Sequence, residues 1–179
     1  MKEITTLDSK VVYQNKWMTV REDKIKRQSG NSGIYSVVEK ADFVIVLPIE
    51  DEHIYLVEQY RYPLEKRCLE LPQGSWEEEP NADPAELDAG ELREETGLVA
   101  KQLTYVGFQH LATGYSSQGY HIFLATGLEH TETDLDDEEE GLISQKVSLK
   151  EFEAMIIDGT ITDASSVNAY GLAKLKQLI

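Results

Sequence analysis

Residues 83–98 read Asp-Pro-Ala-Glu-Leu-Asp-Ala-Gly-Glu-Leu-Arg-Glu-Glu-Thr-Gly-Leu, a helix whose start and stop are both written into the chain. Asp83 suits the N-cap, Pro84 the first helical position and Glu86 the reciprocal place in a capping box. Gly97 supplies the C-terminal stop. Inside this helix Glu91, Glu94 and Glu95 put three carboxylates into five residues. Like charges three and four apart repel on a helix surface, so the spacing adds nothing to the fold by itself. A divalent cation reverses the penalty, because carboxylates facing one point make a hard-oxygen site for Mg²⁺ or Mn²⁺. The three glutamates share an arc of roughly 100° on a helical wheel, while Ala85, Ala89, Leu92 and Thr96 form a separate stripe expected to pack on a sheet. The plain alternative is a solvated acidic face.

The helix sits among strands. Short extended segments are expected at residues 10–13, 17–25 and 34–39, with a turn at Ser29-Gly30-Asn31-Ser32-Gly33. Residues 43–49 form an apolar strand, and Glu50-Asp51-Glu52 turns it into a second strand at 53–61. A short extended piece, 68–72, enters a glycine turn at Gly74; further strands are expected at 103–108, 120–125 and 144–149. Residues 112–119 read as a loop, and 134–140, with six acids in seven residues, as a solvated one. Two helices, 150–158 and 163–178, close the chain, the second capped by Asp163 or Ser165. Strands with two or three helices give an α+β fold, an α/β/α sandwich.

Composition narrows the partners. The net charge of −16 argues against a nucleic-acid or anionic-membrane binder, which needs a basic surface. Cys68 is the single cysteine, so neither an internal disulfide nor a thiolate zinc site is available, and it reads as a small buried hydrophobe. With no signal-peptide hydrophobic stretch and no membrane-length apolar run, the expectation is a cytoplasmic protein of one domain.

Four separated segments carry a family resemblance. Gly90-Glu91-Leu92-Arg93-Glu94-Glu95-Thr96-Gly97-Leu98 resembles the core of the Nudix box, R-E-U-x-E-E-x-G-U with U apolar. Glu70-Leu71-Pro72-Gln73-Gly74 resembles the E-L-P-A-G entrance of the ADP-ribose and nucleotide-sugar pyrophosphatase branch. Val57-Glu58-Gln59-Tyr60-Arg61-Tyr62-Pro63 is similar to that branch's V-x-Q-Y-R-x-P strand, and residues 156–164 to its C-terminal helix–turn–helix. The chain departs from the pattern in places. Gly90 stands at the box arginine and Ala82 at the upstream box glutamate, and the stretch between Gly74 and the helix is longer than the family spacing. Thr113 and Gln118 stand where ADP-ribose enzymes often carry a proline and an acid.

The resemblance implies a Nudix fold, with residues 1–40 as a strand-rich N-terminal extension and 41–179 as the hydrolase domain. It implies divalent-metal-dependent cleavage of the diphosphate of a nucleoside diphosphate-sugar, with Mg²⁺ or Mn²⁺ as cofactor. Glu91 and Glu95 become the principal metal ligands, Glu94 shares a second ion or orients water, and Gln73 adds its backbone carbonyl. A general base is also needed; Gln118 lacks the basicity, which leaves Glu138, Glu139 or Glu140 on the acidic loop, or Glu94. Arg61 reads as a diphosphate clamp, or as an ion-pair partner of Glu58 or Glu70; Glu70 and Gln118 complete the expected substrate contacts. Trp17, Tyr60 and Tyr115 are candidates for stacking on a base, against a core role. His110 and His121 read as packing residues. By analogy the extension swaps across a two-fold homodimer. The competing reading is a scaffold that senses a nucleotide without cleaving it, which Gly90, Ala82 and Gln118 favour and the three glutamates oppose.

Overall fold

The computed structural model describes residues 2–75, 83–133, 135 and 140–179. Its first three strands, β1 (Ile4–Gln14), β2 (Thr19–Arg27) and β3 (Ser32–Glu39), form an antiparallel sheet of their own. Every residue of β1 is exposed. Loop 111–118 ties this sheet to the rest: the Val38 N–H donates to the Tyr115 carbonyl at 2.8 Å, and the Ser116 hydroxyl to the Val38 carbonyl at 2.7 Å.

The second sheet is seven-stranded. It uses β4 (Phe43–Glu50), β5 (His53–Arg61), β6 (Lys66–Glu70), β7 (Gln73–Gly74), β8 (Leu98–His110), β9 (Gly119–His130) and β10 (Ile143–Ser148). Its main path runs β10-β5-β4-β9-β8, with β4–β9 parallel and the other pairs antiparallel. The β4–β5 hairpin turns on Asp51 and Glu52, both left-handed at φ 50° and 61°, the twist a two-residue hairpin requires. Beyond the turn the two strands register only at Ile49–Ile54 and Glu50–His53, then splay apart. β6 pairs with β5 and β7 with β4, so the chain crosses the fork at Leu71-Pro72.

Alternation along β4 sorts the two faces. Val44 and Val46 meet Leu87 and Leu92 of α1 (Pro84–Thr96), with Phe123, Ala125 and Leu128 beside them. Ile45 and Leu47 face the other way, onto Phe152 of α2 (Leu149–Asp158) and Ala169, Tyr170 and Ala173 of α3 (Ala164–Leu175). The result is the α/β/α sandwich expected. Among the described residues no helix is long and apolar enough to cross a membrane.

The helix ends follow local chemistry. Asp83 caps α1 by accepting from the Ala85 N–H at 2.9 Å, and Gly97 closes it at φ 66° with its N–H on the Arg93 carbonyl. The reciprocal capping box forms instead on α2, between Ser148 and Glu151. Asp163, rather than Ser165, caps α3, which ends at Leu175. The stripe expected to face the sheet from α1 is corrected: Ala89 is exposed, and the buried residues are Leu87, Asp88, Glu91, Leu92, Glu95 and Thr96. The acids occupy the centre of the buried arc, with the apolar residues at its flanks.

Phe152 is 0 % exposed, with its ring 4.9 Å from that of Tyr170. Truncation to alanine leaves a cavity between α2 and the sheet and is expected to cost about 3–5 kcal/mol, read as a lowered urea midpoint with an unchanged slope.

Candidate active site

The site is built on the fork. The backbone N–H groups of Leu71 and Gln73 turn away from the neighbouring strands and are taken up by side chains from opposite helix layers. Leu71 donates to the Ser166 hydroxyl of α3 at 2.8 Å, and Gln73 to Oε2 of Glu95 on α1 at 3.0 Å. Pro72 contributes its carbonyl to the Val46 N–H at 3.0 Å. At Gly74 a Cβ would overlap the Glu91 carboxylate, so glycine is what lets that carboxylate lie against the turn. These contacts bring Glu91 and Glu95, 5 % and 1 % exposed, against the Leu71–Gly74 turn.

On the open side of the turn Arg61 forks onto Glu70, with Nε at 3.0 and 3.1 Å from the two carboxylate oxygens and Nη2 at 2.5 Å from Oε2. Burial pulls the Arg61 guanidinium down, but the hydrogen bonds and charge of Glu70, with Glu95 and Asp163 behind it, reverse this and hold it above its ordinary value. The Gln73 amide also donates to Glu70, at 2.8 Å. A cleft of about 350 Å³ opens here, and Lys40, Arg61, Glu70, Gln73, Gln118 and Asp163 are among its walls. Gln118 is fixed through its amide to the Ala41 carbonyl at 2.6 Å. A neighbouring hollow of about 290 Å³ is lined by Trp17, Thr19 and Glu39, and Lys40 borders both cavities. Lys16 stands over the Trp17 ring, 4.2 Å from its centroid.

The other expected residues lie apart. Glu94 is on the solvent-facing edge of α1, 3.7 Å from Arg93. Glu58 pairs with Arg67 at 2.7 Å rather than with Arg61. Glu140 is exposed in the turn before β10, next to Gly141, whose carbonyl accepts from Arg67 at 2.9 Å. Glu138 and Glu139 lie outside the described residues, as does Ala82. Tyr60 and Tyr115 are exposed, and Cys68 is buried. His121 packs against Tyr105 and Phe108, and His110 against Phe108.

Three residues of the site were not recognised as site residues from the sequence. Lys40 and Asp163 reach the cleft from positions that only the tertiary fold connects, Asp163 while capping α3. Asp88, the third, had a signal in its spacing: it precedes Glu91 by three and Glu95 by seven, which puts it on their stripe. Asp88 is 0 % exposed, and neither of its carboxylate oxygens has a hydrogen-bond partner among the described residues. Burial first, and the charge of Glu91 second, push its pKa up to about 8.

The donor set fits a divalent cation: buried carboxylate oxygens, a glycine cradle that admits one of them, and an orphaned carboxylate on the same face. Among the described residues no three acidic, histidine or cysteine side chains already stand grouped around one point. The carboxylates therefore offer the right class of ligand without a finished cage.

Comparison with known proteins agrees with this geometry. A family model described as the nucleoside diphosphate sugar hydrolase N-terminal domain matches residues 4–38, the β1–β3 sheet. The chain is 27% identical over 179 residues to an ADP-ribose pyrophosphatase of Bacillus subtilis (strain 168), covering 99% of this chain and 96% of the relative. It is also 27% identical to a methanol dehydrogenase activator of Bacillus methanolicus, with the same coverage. A crystal structure of an ADP compounds hydrolase superposes with a TM-score of 0.85 at 25% identity, covering 97% of this chain and 94% of that one.

Two outcomes are expected. Gly74→Ala places a methyl group on the Glu91 carboxylate and should weaken Mn²⁺ binding in a calorimetric titration. In EDTA, the proton on Asp88 adds stability that is fully present below its unfolded pKa near 3.8 and is lost as pH rises through about 8. Wild-type unfolding free energy should therefore fall between pH 5 and 8 relative to Asp88→Asn, by at most about 1.4 kcal/mol per pH unit, read from urea melts at each pH.

Proposed function

We propose, for a chain that belongs to the Nudix hydrolases and to their ADP-ribose pyrophosphatase branch, that it cleaves the diphosphate of a nucleoside diphosphate-sugar such as ADP-ribose. Water adds to one phosphorus and the bridging P–O bond breaks, giving a nucleoside monophosphate and a sugar phosphate. The observation that carries this reading is the burial of Glu91 and Glu95 against the Leu71–Gly74 turn, directly beside the Arg61–Glu70 cleft.

Glu91 and Glu95 are the residues to hold Mg²⁺ or Mn²⁺, with Glu94 and the Gln73 carbonyl as further donors. A divalent cation held there supplies neutralisation of the diphosphate and activation of the attacking water. Arg61, braced by Glu70 through Nε and Nη2, presents the rest of its guanidinium to phosphate oxygens. Lys40 adds a second positive charge where the cleft meets the Trp17 hollow. The base stacks in that hollow, and the sugar phosphate lies toward Gln118 and Asp163. The proton of the attacking water goes to a carboxylate at the site edge: Glu94, or a glutamate of the 138–140 loop.

The extension serves a homodimer. The β1–β3 sheet exposes Leu7, Val11, Val12, Tyr13 and Ile34, an apolar set that a second copy covers. The single cysteine, buried and free of any disulfide, supports a cytoplasmic setting.

A panel of ADP-ribose, GDP-mannose, UDP-glucose and dinucleotides, each with Mg²⁺ or Mn²⁺, tests the reaction. Nucleoside monophosphate release should require the cation and fall more than about 100-fold in Glu95→Gln. Binding without turnover would make the chain a nucleotide sensor instead. Trp17→Ala should raise KM by about 5- to 100-fold, the loss of one stacked base, with a smaller change in kcat. Sedimentation at micromolar concentration should give twice the chain mass.

A further inference from the structure

We propose that Asp88 is a further ligand of the α1 cation site, one helical turn before Glu91. The inference rests on the reading of Glu91 and Glu95 as cation ligands.

Asp88, Glu91 and Glu95 fall at i, i+3 and i+7, within roughly 60° of one another on the helix, with Leu87 and Leu92 on either side. All three acids are buried, Asp88 completely, and both Asp88 oxygens lack a hydrogen-bond partner among the described residues. A buried carboxylate in that state is costly; no protein donor bonds it among the described residues, which leaves three kinds of partner to relieve its charge. A basic side chain is one, but Arg93 is on the exposed side of α1 beside Glu94, and Gly90 stands where the resemblance would place an arginine. A proton removes the charge yet leaves the carbonyl and hydroxyl oxygens without bonds. A hard cation shared with Glu91 satisfies charge and oxygens together.

Helix chemistry points the same way. A fold that merely packed α1 on the sheet would gain from an apolar residue at this central position, flanked as it is by Leu87 and Leu92. An aspartate there is explained if it faces a cation, and glycine rather than arginine at position 90 is then no deficit in charge balance.

The full-length protein is titrated with Mn²⁺, free ion being followed by electron paramagnetic resonance, for wild type, Asp88→Asn, Asp88→Ala and Glu95→Gln. Both Asp88 variants should lose at least one bound Mn²⁺ per chain, or bind it at least tenfold more weakly, while melting in EDTA no lower than wild type. Asp88→Cys with Cd²⁺ should show a thiolate-to-metal charge-transfer absorption that wild type, with its buried Cys68, lacks. Unchanged Mn²⁺ number and affinity in both Asp88 variants, with Glu95→Gln weakened, overturns the role of Asp88 and leaves the pyrophosphatase reading standing. No Mn²⁺ binding by wild type overturns both.

Discussion

Everything at this site depends on a helix that turns its charges inward. In an ordinary amphipathic helix the apolar stripe meets the sheet and the carboxylates meet water. On α1 the order is inverted: Asp88, Glu91 and Glu95 lie at the centre of the buried arc, and Leu87, Leu92 and Thr96 hold its edges. Desolvating several like charges together is unfavourable, and the fold offsets it locally with a backbone N–H for Glu95 and an unobstructed approach for Glu91 over Gly74.

The fork in the sheet gives that helix its place. Because β4 and β5 part after two paired residues, the Leu71–Gly74 turn can enter the sheet and present backbone to α1. An uninterrupted hairpin would have used in its own ladder the β4 groups that now pair with this turn. The Arg61–Glu70 pair then grows from the β5–β6 side of the fork, so acidic and basic halves of the site are set by one topological event.

Much of this was legible in the sequence. Asp83 and Gly97 bounded α1 correctly, the apolar run at 43–49 marked the central strand, and Gly74 signalled close approach of backbone. The orientation of α1 was not legible, because the alanines and the glutamates define competing stripes and composition favours the apolar one. Contact with Gly74 decides it, a constraint between residues 17 apart that helical periodicity does not contain. Capping also misled in one detail: Glu86 has the spacing of a box, yet the box forms at Ser148 and Glu151. Arg61 admitted two readings from sequence, clamp or ion-pair partner. Its fork onto Glu70 makes the second a geometric fact and turns the first into a question of what the remaining guanidinium edge meets.

Leu71 and Gln73 stand two residues apart on one extended strap, but the groups that grip them come from opposite faces of the sandwich, Ser166 on one side and Glu95 on the other. The strap thus acts as a tie rod through the sheet. Ser166 also donates to Asp163, which caps α3 and lines the cleft, so the rod is anchored at a helix terminus rather than in a loose loop. Any displacement of Glu95 toward a bound charge pulls on the same rod. The two helical layers are thereby mechanically in series, and occupancy on the acidic face would be felt as stiffness at the first turn of α3.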